Sequence, residues 1–107
     1  MANDLYAALA DPTRRRVLEL LSDGPRRSGE LAAAAMTSAP VMSRHLRILL
    51  ESGFVTDERV PDDARARVFR LRREPLGDVQ AWLDQLQAHW NEQLVSFSRH
   101  VENREDS

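Results

Sequence analysis

Residues 38–49 read SAPVMSRHLRIL, a stretch that combines a helix start with two faces of opposite character. Ser38 is a preferred N-cap residue, and a proline two positions later is tolerated inside a first helical turn. The apolar residues recur every three or four positions and share one side of a helical wheel: Met42, Leu46, Leu49 and Leu50. The sequence therefore predicts a helix over residues 38–51 that packs one side against a core.

The opposite side of this helix is polar and cationic, and two interpretations fit it. Arg44 can donate two hydrogen bonds to a guanine, and Ser43 can bond a phosphate or a base edge. Alternatively the face is only solvated, since Arg47 and Glu51 have the i, i+4 spacing of a surface ion pair. His45, on the flank, is either a half-buried histidine or a group that meets a ligand. The neighbouring elements favour the DNA-binding interpretation.

Three shorter helices are predicted before this one. The first spans residues 3–10, with leucines four apart. Asp11-Pro12 is an N-cap followed by a proline at the first helical position, and it opens TRRRVLELL. Ser28 is predicted to cap the third helix, GELAAAAM, whose alanines allow close approach of a neighbour.

After Gly53 the periodicity changes. Residues 54–60 and 66–71 predict two strands joined by a turn-rich connection of about five residues. Pro75 opens a last helix of about 25 residues with three-and-four spacing of large apolar side chains. The predicted fold is mainly α with a small β-hairpin, in the order α-α-α-α-β-β-α, which is the winged helix-turn-helix plan.

Charge is unevenly distributed along the 107 residues, although the net charge is only −2. All 15 basic residues are arginines, and residues 13–73 hold 13 of them against 8 acids. Residues 1–12 and 74–107 are acidic, with balances of −2 and −5. This pattern indicates a basic working region between acidic ends. The alternative is that arginine is merely the preferred cation of the source organism.

Several classes of protein are excluded or disfavoured. Without any cysteine, the chain has no disulfide, zinc–cysteine site or thiol nucleophile. It shows no glycine-rich phosphate loop and no HExxH motif, and no apolar run approaches the roughly 20 residues of a membrane span. We expect a cytoplasmic protein that is not an enzyme and has no cofactor. One domain is predicted over 1–102, with a disordered tail at 103–107.

Three motifs in order carry a family resemblance: ALADPTRRRVLELL, SGELA and SAPVMSRHLRILLESGFV. With them the chain resembles the ArsR/SmtB family of bacterial winged-helix repressors, over roughly residues 5–100. The resemblance implies a homodimer, formed by the first and last helices, that places two recognition helices in successive major grooves. It implies these DNA contacts: Ser38, Ala39, Pro40, Ser43, Arg44 and His45, the last to a phosphate. Arg47 joins them from its place on the same helix face.

The predicted hairpin would be the wing. Its tip, Pro61-Asp62-Asp63, carries two carboxylates that phosphates repel. We therefore expect Arg65 and Arg67, and as a further candidate Arg59, to contact the DNA backbone while the tip stays out of the minor groove. The alternative is that these arginines are ordinary strand-surface residues.

The last helix has a larger apolar stripe than a small monomer can cover, which is typical of an interface. Together with the first helix it gives a predicted dimer interface: Leu5, Leu9, Trp82, Leu86, Trp90, Leu94 and Phe97. A two-fold dimer would match a palindromic operator. The alternative is that the helix packs on its own domain.

Metal sensing occurs in the resembled family, so its ligand positions matter. Alanines at 32–35 stand where many members place cysteines. His89 and His100 match the spacing of the inner histidines of a last-helix site, but Gln87 and Asn103 are weak ligands at the outer positions. We expect no metal site, and the nature of any effector stays open.

The expected function is a sequence-specific DNA-binding transcriptional regulator. It would be a dimeric repressor that competes with polymerase at a palindromic operator in double-stranded DNA. Two alternatives remain: a winged-helix protein-interaction module without DNA binding, and a metal-responsive repressor that uses the last-helix histidines. An interaction module would have no reason to keep Arg44 and the wing arginines beside an acidic last helix.

Overall fold

A computed structural model describes the backbone of residues 2–105 and the side chains of residues 5–63 and 66–102. Its elements are α1 (Ala2–Leu9), α2 (Pro12–Leu21), β1 (Arg26–Arg27), α3 (Ser28–Ala34), α4 (Ala39–Glu51), β2 (Val55–Val60), β3 (Asp63–Leu71) and α5 (Glu74–Glu105). The predicted order of helices and hairpin is confirmed, with one added strand, β1. The chain forms two compact units, residues 1–76 and 77–107.

Helix α2 begins as its sequence predicts. The Asp11 side chain accepts hydrogen bonds from the backbone N–H groups of Thr13 at 2.7 Å and Arg14 at 3.2 Å. Pro12 occupies the first helical position, where a missing N–H costs nothing. These contacts satisfy N–H groups that have no partner inside the helix, so α2 starts sharply after α1.

Helix α3 begins differently from the prediction. Ser28 was expected to cap it, but Ser28 is its first residue and Arg27 stands at the N-cap without a side-chain bond. The physical reason is β1, whose two residues pair antiparallel with β3 at Arg26↔Phe69 and Arg27↔Val68. This pairing holds Arg27 extended, so the helix starts one residue earlier. A strand of two residues has no periodicity, and the sequence pattern missed it.

The sheet has the order β1-β3-β2 and is antiparallel throughout. In the hairpin, Val55 pairs with Leu71 and Arg59 with Arg67, with an irregularity after Arg59. Strand β3 begins at Asp63, three residues before its predicted start, so the five-residue connection expected between the strands is wrong. Acidic residues after a proline are typical of a turn, but Asp63 pairs with Val60, so only Pro61 and Asp62 connect the strands. We call β2 and β3 with their connection, residues 55–71, the wing.

The core of the first unit receives side chains from every helix in it and from the sheet. Its buried apolar residues are Ala8, Val17, Leu18, Leu20, Leu21, Leu31, Ala32, Met42, Leu46, Leu49, Phe54, Val55 and Phe69. Met42, Leu46 and Leu49 of the α4 stripe are therefore in the core, as their spacing predicts, whereas Leu50 is only half-buried. No side chain among the described residues is both polar and buried. The charged residues consequently remain available at the surface.

The second unit consists of α5 from Gly77 onward. The helix continues past the predicted boundary at 102 to Glu105, and residues 106 and 107 lie outside the described part of the chain. Large apolar side chains on it are exposed, among them Trp90 at 59% and Phe97 at 67%. Even this long helix is not apolar enough to cross a membrane, and no other helix in the described part of the chain is.

Candidate nucleic-acid interface

The turn between α3 and α4 sets the start of α4. The N–H of Met36 donates to Ala33 at 3.2 Å and the N–H of Thr37 to Ala32 at 3.0 Å, the paired bonds that close a helix C-terminus. Met36 is left-handed there, with φ 53°, although glycine usually occupies this position. Two residues later the Ser38 hydroxyl accepts the N–H of Val41 at 3.3 Å and caps α4.

Helix α4 has one buried and one exposed face. Met42 and Leu49 are fully buried. The exposed residues include the predicted DNA contacts Ser38, Ala39, Pro40, Ser43, Arg44 and Arg47. A helix anchored on one side by three buried side chains presents the other side in a fixed orientation. That is the arrangement required of a helix that enters a DNA major groove.

A cavity of about 430 Å³ opens between α3, α4 and the wing. Its lining is partly apolar and carries several guanidinium groups: Arg27, Ser28, Gly29, Ser43, Leu46, Arg47, Leu50, Ala66, Arg67 and Phe69. The cations come from three separate elements. Such a cavity is suited to an anion that lies beside the recognition helix.

Arg27 is a cavity residue that the sequence motifs do not indicate. In the sequence it precedes a short helix, far from the predicted wing. Only the pairing of β1 with β3 brings Arg27 beside Val68 and so to the wing. The adjacent arginines Arg26 and Arg27 form a local concentration of positive charge before Ser28, but nothing in the sequence showed which surface Arg27 lies on.

The wing arginines are partly engaged with neighbouring acids. Arg67 Nε lies 3.4 Å from Asp57 Oδ2, and Arg70 pairs with Glu58. Both arginines are more than half exposed, so these ion pairs are weak. Arg59 faces Arg67 across the ladder. The side chain of Arg65, another predicted contact, lies outside the described residues.

His45 is half-buried and contacts Arg14 of α2, with 3.3 Å between Arg14 Nη1 and His45 Nδ1. Arg14 also donates from Nε to the carbonyl of Ala8 at 2.8 Å and from Nη2 to that of Ala7 at 3.1 Å. The sequence pattern indicates His45 but not its partner. The two residues lie 31 positions apart, and no local pattern joins them.

Asp11, which caps α2, lies in the same surroundings. Slight burial works against its ionisation, but the backbone N–H groups of Arg14 and Thr13 outweigh it. Together with the electrostatic influence of His45 and Arg14, they hold the pKa of Asp11 below its ordinary value of 3.8. Asp11 is therefore ionised at neutral pH, and its negative charge stabilises the N-terminus of α2, where three arginines follow.

The predicted dimer residues are accessible to different degrees. On α5 they are exposed by about half or more: Trp82, Leu86, Trp90, Leu94 and Phe97. Leu5 and Leu9 of α1 are half-buried. On α5, His89 and His100 are exposed, while the side chain of Asn103 lies outside the described residues. The side chains that the structure describes form no group of three metal-ligating residues.

Known proteins resemble this chain in sequence and in structure. Residues 11–57, from the cap of α2 into β2, match the family described as bacterial regulatory protein, arsR family. The HTH-type transcriptional regulator Rv2034 of Mycobacterium tuberculosis is 34% identical over 101 residues, which cover 94% of this chain and 89% of the relative. A crystal structure of an ArsR family transcriptional regulator is 37% identical, with a TM-score of 0.75, covering 83% of this chain and 94% of that one.

The chain belongs to the ArsR family. The transcriptional repressor SdpR of Bacillus subtilis is also similar, with 39% identity over 57 residues, covering 53% of this chain and 63% of the relative. An ArsR-like transcriptional regulator from Rhodococcus sp. RHA1, 24% identical, shares the fold with a TM-score of 0.77, covering 92% of this chain and 90% of that one. Family membership confirms the predicted winged helix-turn-helix fold and the predicted role as a DNA-binding regulator of transcription. The named relatives of this ArsR-family chain are regulators, not enzymes.

Proposed function

We propose that this ArsR-family chain is a homodimeric repressor that binds a palindromic operator. In each protomer α4 enters the major groove and the wing lies over the adjacent backbone. A repressor of this kind acts by occupying DNA that polymerase needs. The observation that carries the proposal is the outward face of α4, where cationic and hydroxyl side chains stand opposite a fully buried apolar stripe.

The assignment of contacts follows from the positions along α4. Ser38, Ala39 and Pro40 lie at its N-terminal end, the part of a recognition helix that reaches base edges. Arg44, one turn further, has the donor geometry to bind guanine through two hydrogen bonds. Ser43 lines the cavity as well as the exposed face, so it is assigned to the backbone side of the contact.

The cavity between α4 and the wing is assigned to DNA phosphates. When α4 occupies the major groove and the wing approaches the neighbouring minor groove, the strand that separates the two grooves crosses the cavity. Arg27, Arg47 and Arg67 line it, and phosphate oxygens are the ligands that guanidinium groups bind best in this setting. Arg65 is assigned to the same strand on the basis of its sequence position alone.

Dimerisation is supported by the exposed apolar residues of α5. Trp90 and Phe97 are each more than half exposed and belong to a stripe of exposed apolar residues on α5, and a patch of this kind usually marks an interface. A two-fold dimer covers the same stripe on both copies and accounts for a symmetric operator. Metal or small-molecule regulation has no observation that favours it.

Selection of bound DNA from a random pool tests the proposal. We expect enrichment of an inverted repeat whose half-site centres are about one DNA turn apart, roughly 10–10.5 base pairs, or a multiple of it. A pool without any enriched sequence would contradict DNA reading and favour a protein-interaction module. Enrichment of single, unpaired half-sites would contradict only the dimer.

A further inference from the structure

The guanidinium of Arg14 bonds two other helices at once. It donates to the carbonyls of Ala8 at 2.8 Å and Ala7 at 3.1 Å, near the C-terminus of α1, and its Nη1 lies 3.3 Å from His45 Nδ1 on α4. Its own backbone N–H is held by Asp11 at 3.2 Å. Arg14 is therefore fixed at both ends and links α1 and α2 to the recognition helix.

The two following arginines do not make this link. Arg15 donates to the carbonyl of Leu9 at 2.7 Å, which only closes the end of α1. Arg16 lies 3.4 Å from Glu19 on its own helix. Of the three consecutive arginines, only Arg14 has a described contact with α4. The adjacent Arg15 provides a matched control, because it has the same charge and also binds a carbonyl near the end of α1.

The contact also restricts which tautomer a neutral His45 ring can adopt. A guanidinium has donors only, so His45 Nδ1 must offer its lone pair. In a neutral imidazole the proton then resides on Nε2, which becomes a hydrogen-bond donor. His45 lies on the flank of α4 between the buried stripe and the outward face, and it is half-buried. A ring held in this way can stabilise the helix through one nitrogen and bind an acceptor through the other.

We propose that Arg14 is a positioning residue for the recognition helix. It fixes the rotation of α4 relative to α1 and α2, and it presents His45 as a neutral Nε2–H donor to a backbone phosphate of the operator. The inference rests on the proposed DNA-binding function. Rotation matters because base contacts such as that of Arg44 tolerate misplacement of only about 0.5 Å and 10–20°.

The binding experiment compares Arg14→Gln with Arg15→Gln on the operator selected from the random pool and on a scrambled duplex. Both variants lose one positive charge and bonds to the end of α1. We expect Arg14→Gln to lose about tenfold in operator affinity and Arg15→Gln at most about twofold, because only the first loses a link to α4. On scrambled DNA the difference between the two variants should be smaller, because only the phosphate contact of His45 and no base contact is affected there. Melting temperatures of both variants show that each is folded.

A double-mutant cycle with His45→Ala tests whether the two residues act together. We expect the affinity of the double variant for the operator to equal that of the single variant that binds less tightly, since each substitution removes the same link. Fully additive losses would contradict the link. Equal operator losses in Arg14→Gln and Arg15→Gln would reduce Arg14 to a residue that closes α1.

A spectroscopic measurement tests the tautomer without DNA. Long-range ¹H–¹⁵N spectra at a pH of about 8, where histidine is ordinarily neutral, distinguish the two neutral forms. We expect His45 to be in the Nε2–H form in the wild type and a mixture in Arg14→Gln, with exposed His89 and His100 unchanged. A wild-type ring protonated on Nδ1 would overturn the proposal. If no duplex is bound at all, the proposed function fails, while this measurement still decides whether Arg14 holds the ring.

Discussion

Arg27 gives the sharpest test of the cavity between α4 and the wing. Its side chain is exposed and lines the cavity, whereas its place in the ladder with Val68 depends on backbone groups alone. Arg27→Gln should therefore leave the fold intact, with a stability change within about 0.5 kcal/mol. The variant should lose one phosphate contact in each protomer.

The expected magnitude follows from counterion release. Each lost phosphate contact reduces the slope of log affinity against log salt by about 0.9, so a dimer that loses two contacts changes by about 1.8. Between 50 and 200 mM salt, a fourfold change, the advantage of the wild type over the variant should then shrink by about twelvefold. A protein that uses one half-site would show a change of about 0.9 instead.

Fluorescence anisotropy with a labelled operator, titrated at several salt concentrations, provides the measurement. Arg16→Gln is the control, because Arg16 is also exposed but pairs with Glu19 on α2, outside the cavity lining. Parallel salt dependences for Arg27→Gln and the wild type would refute the assignment of the cavity to phosphates. So would the same slope change in the Arg16 control, which would indicate a general charge effect.

Four further predictions follow from other contacts. Arg44→Ala should cost about 1–3 kcal/mol and relax preference at one base pair in a gel-shift series, whereas uniform weakening across operators would assign Arg44 to phosphate. Trp90→Ala should shift sedimentation toward monomer, and an unchanged dimer would remove Trp90 from the interface. Met36→Gly should stabilise the fold by up to about 1 kcal/mol in thermal melts, because glycine adopts a left-handed conformation without strain. Little packing is lost, since the Met36 side chain is 93% exposed. A lower melting temperature would argue against strain at this position. Asp11→Asn should be less stable than the wild type at neutral pH, because a carboxyl whose pKa is lowered on folding stabilises the folded state at pH values above its ordinary pKa of 3.8. The denaturation curves of the two proteins should converge as the pH falls below that value. A stability difference that stays constant with pH would exclude the charge as the cause.

Local patterns predicted much of this fold because they reflect local physics. The α4 stripe was identified correctly, since three-and-four spacing is what a helix with one buried side requires, and Met42, Leu46 and Leu49 are indeed in the core. The helix cap at Asp11 was also predictable from the sequence, because its hydrogen bonds join residues only two and three positions apart. The exposed face of α4 follows from the same geometry.

Contacts between distant segments were not predictable in this way. Strand β1 exists because β3 is available to pair with it, so the position of Arg27 depends on a segment about 40 residues away. The link between Arg14 and His45 likewise spans 31 residues and requires the packing of α2 beside α4. The one-residue error at Ser28 has the same origin, since pairing overrode the preference of serine for the cap.

The two-residue strand β1 also determines where this protein can change length without harm. Because β1 holds the base of the wing to the start of α3, an inserted residue near Phe69 would shift the register of both pairings. The exposed tip around Pro61 and Asp62 lies outside the residues that pair with β1, and the ladder is already irregular after Arg59. Insertions should therefore accumulate at the tip, where they alter the reach of the wing along DNA while the base stays constant.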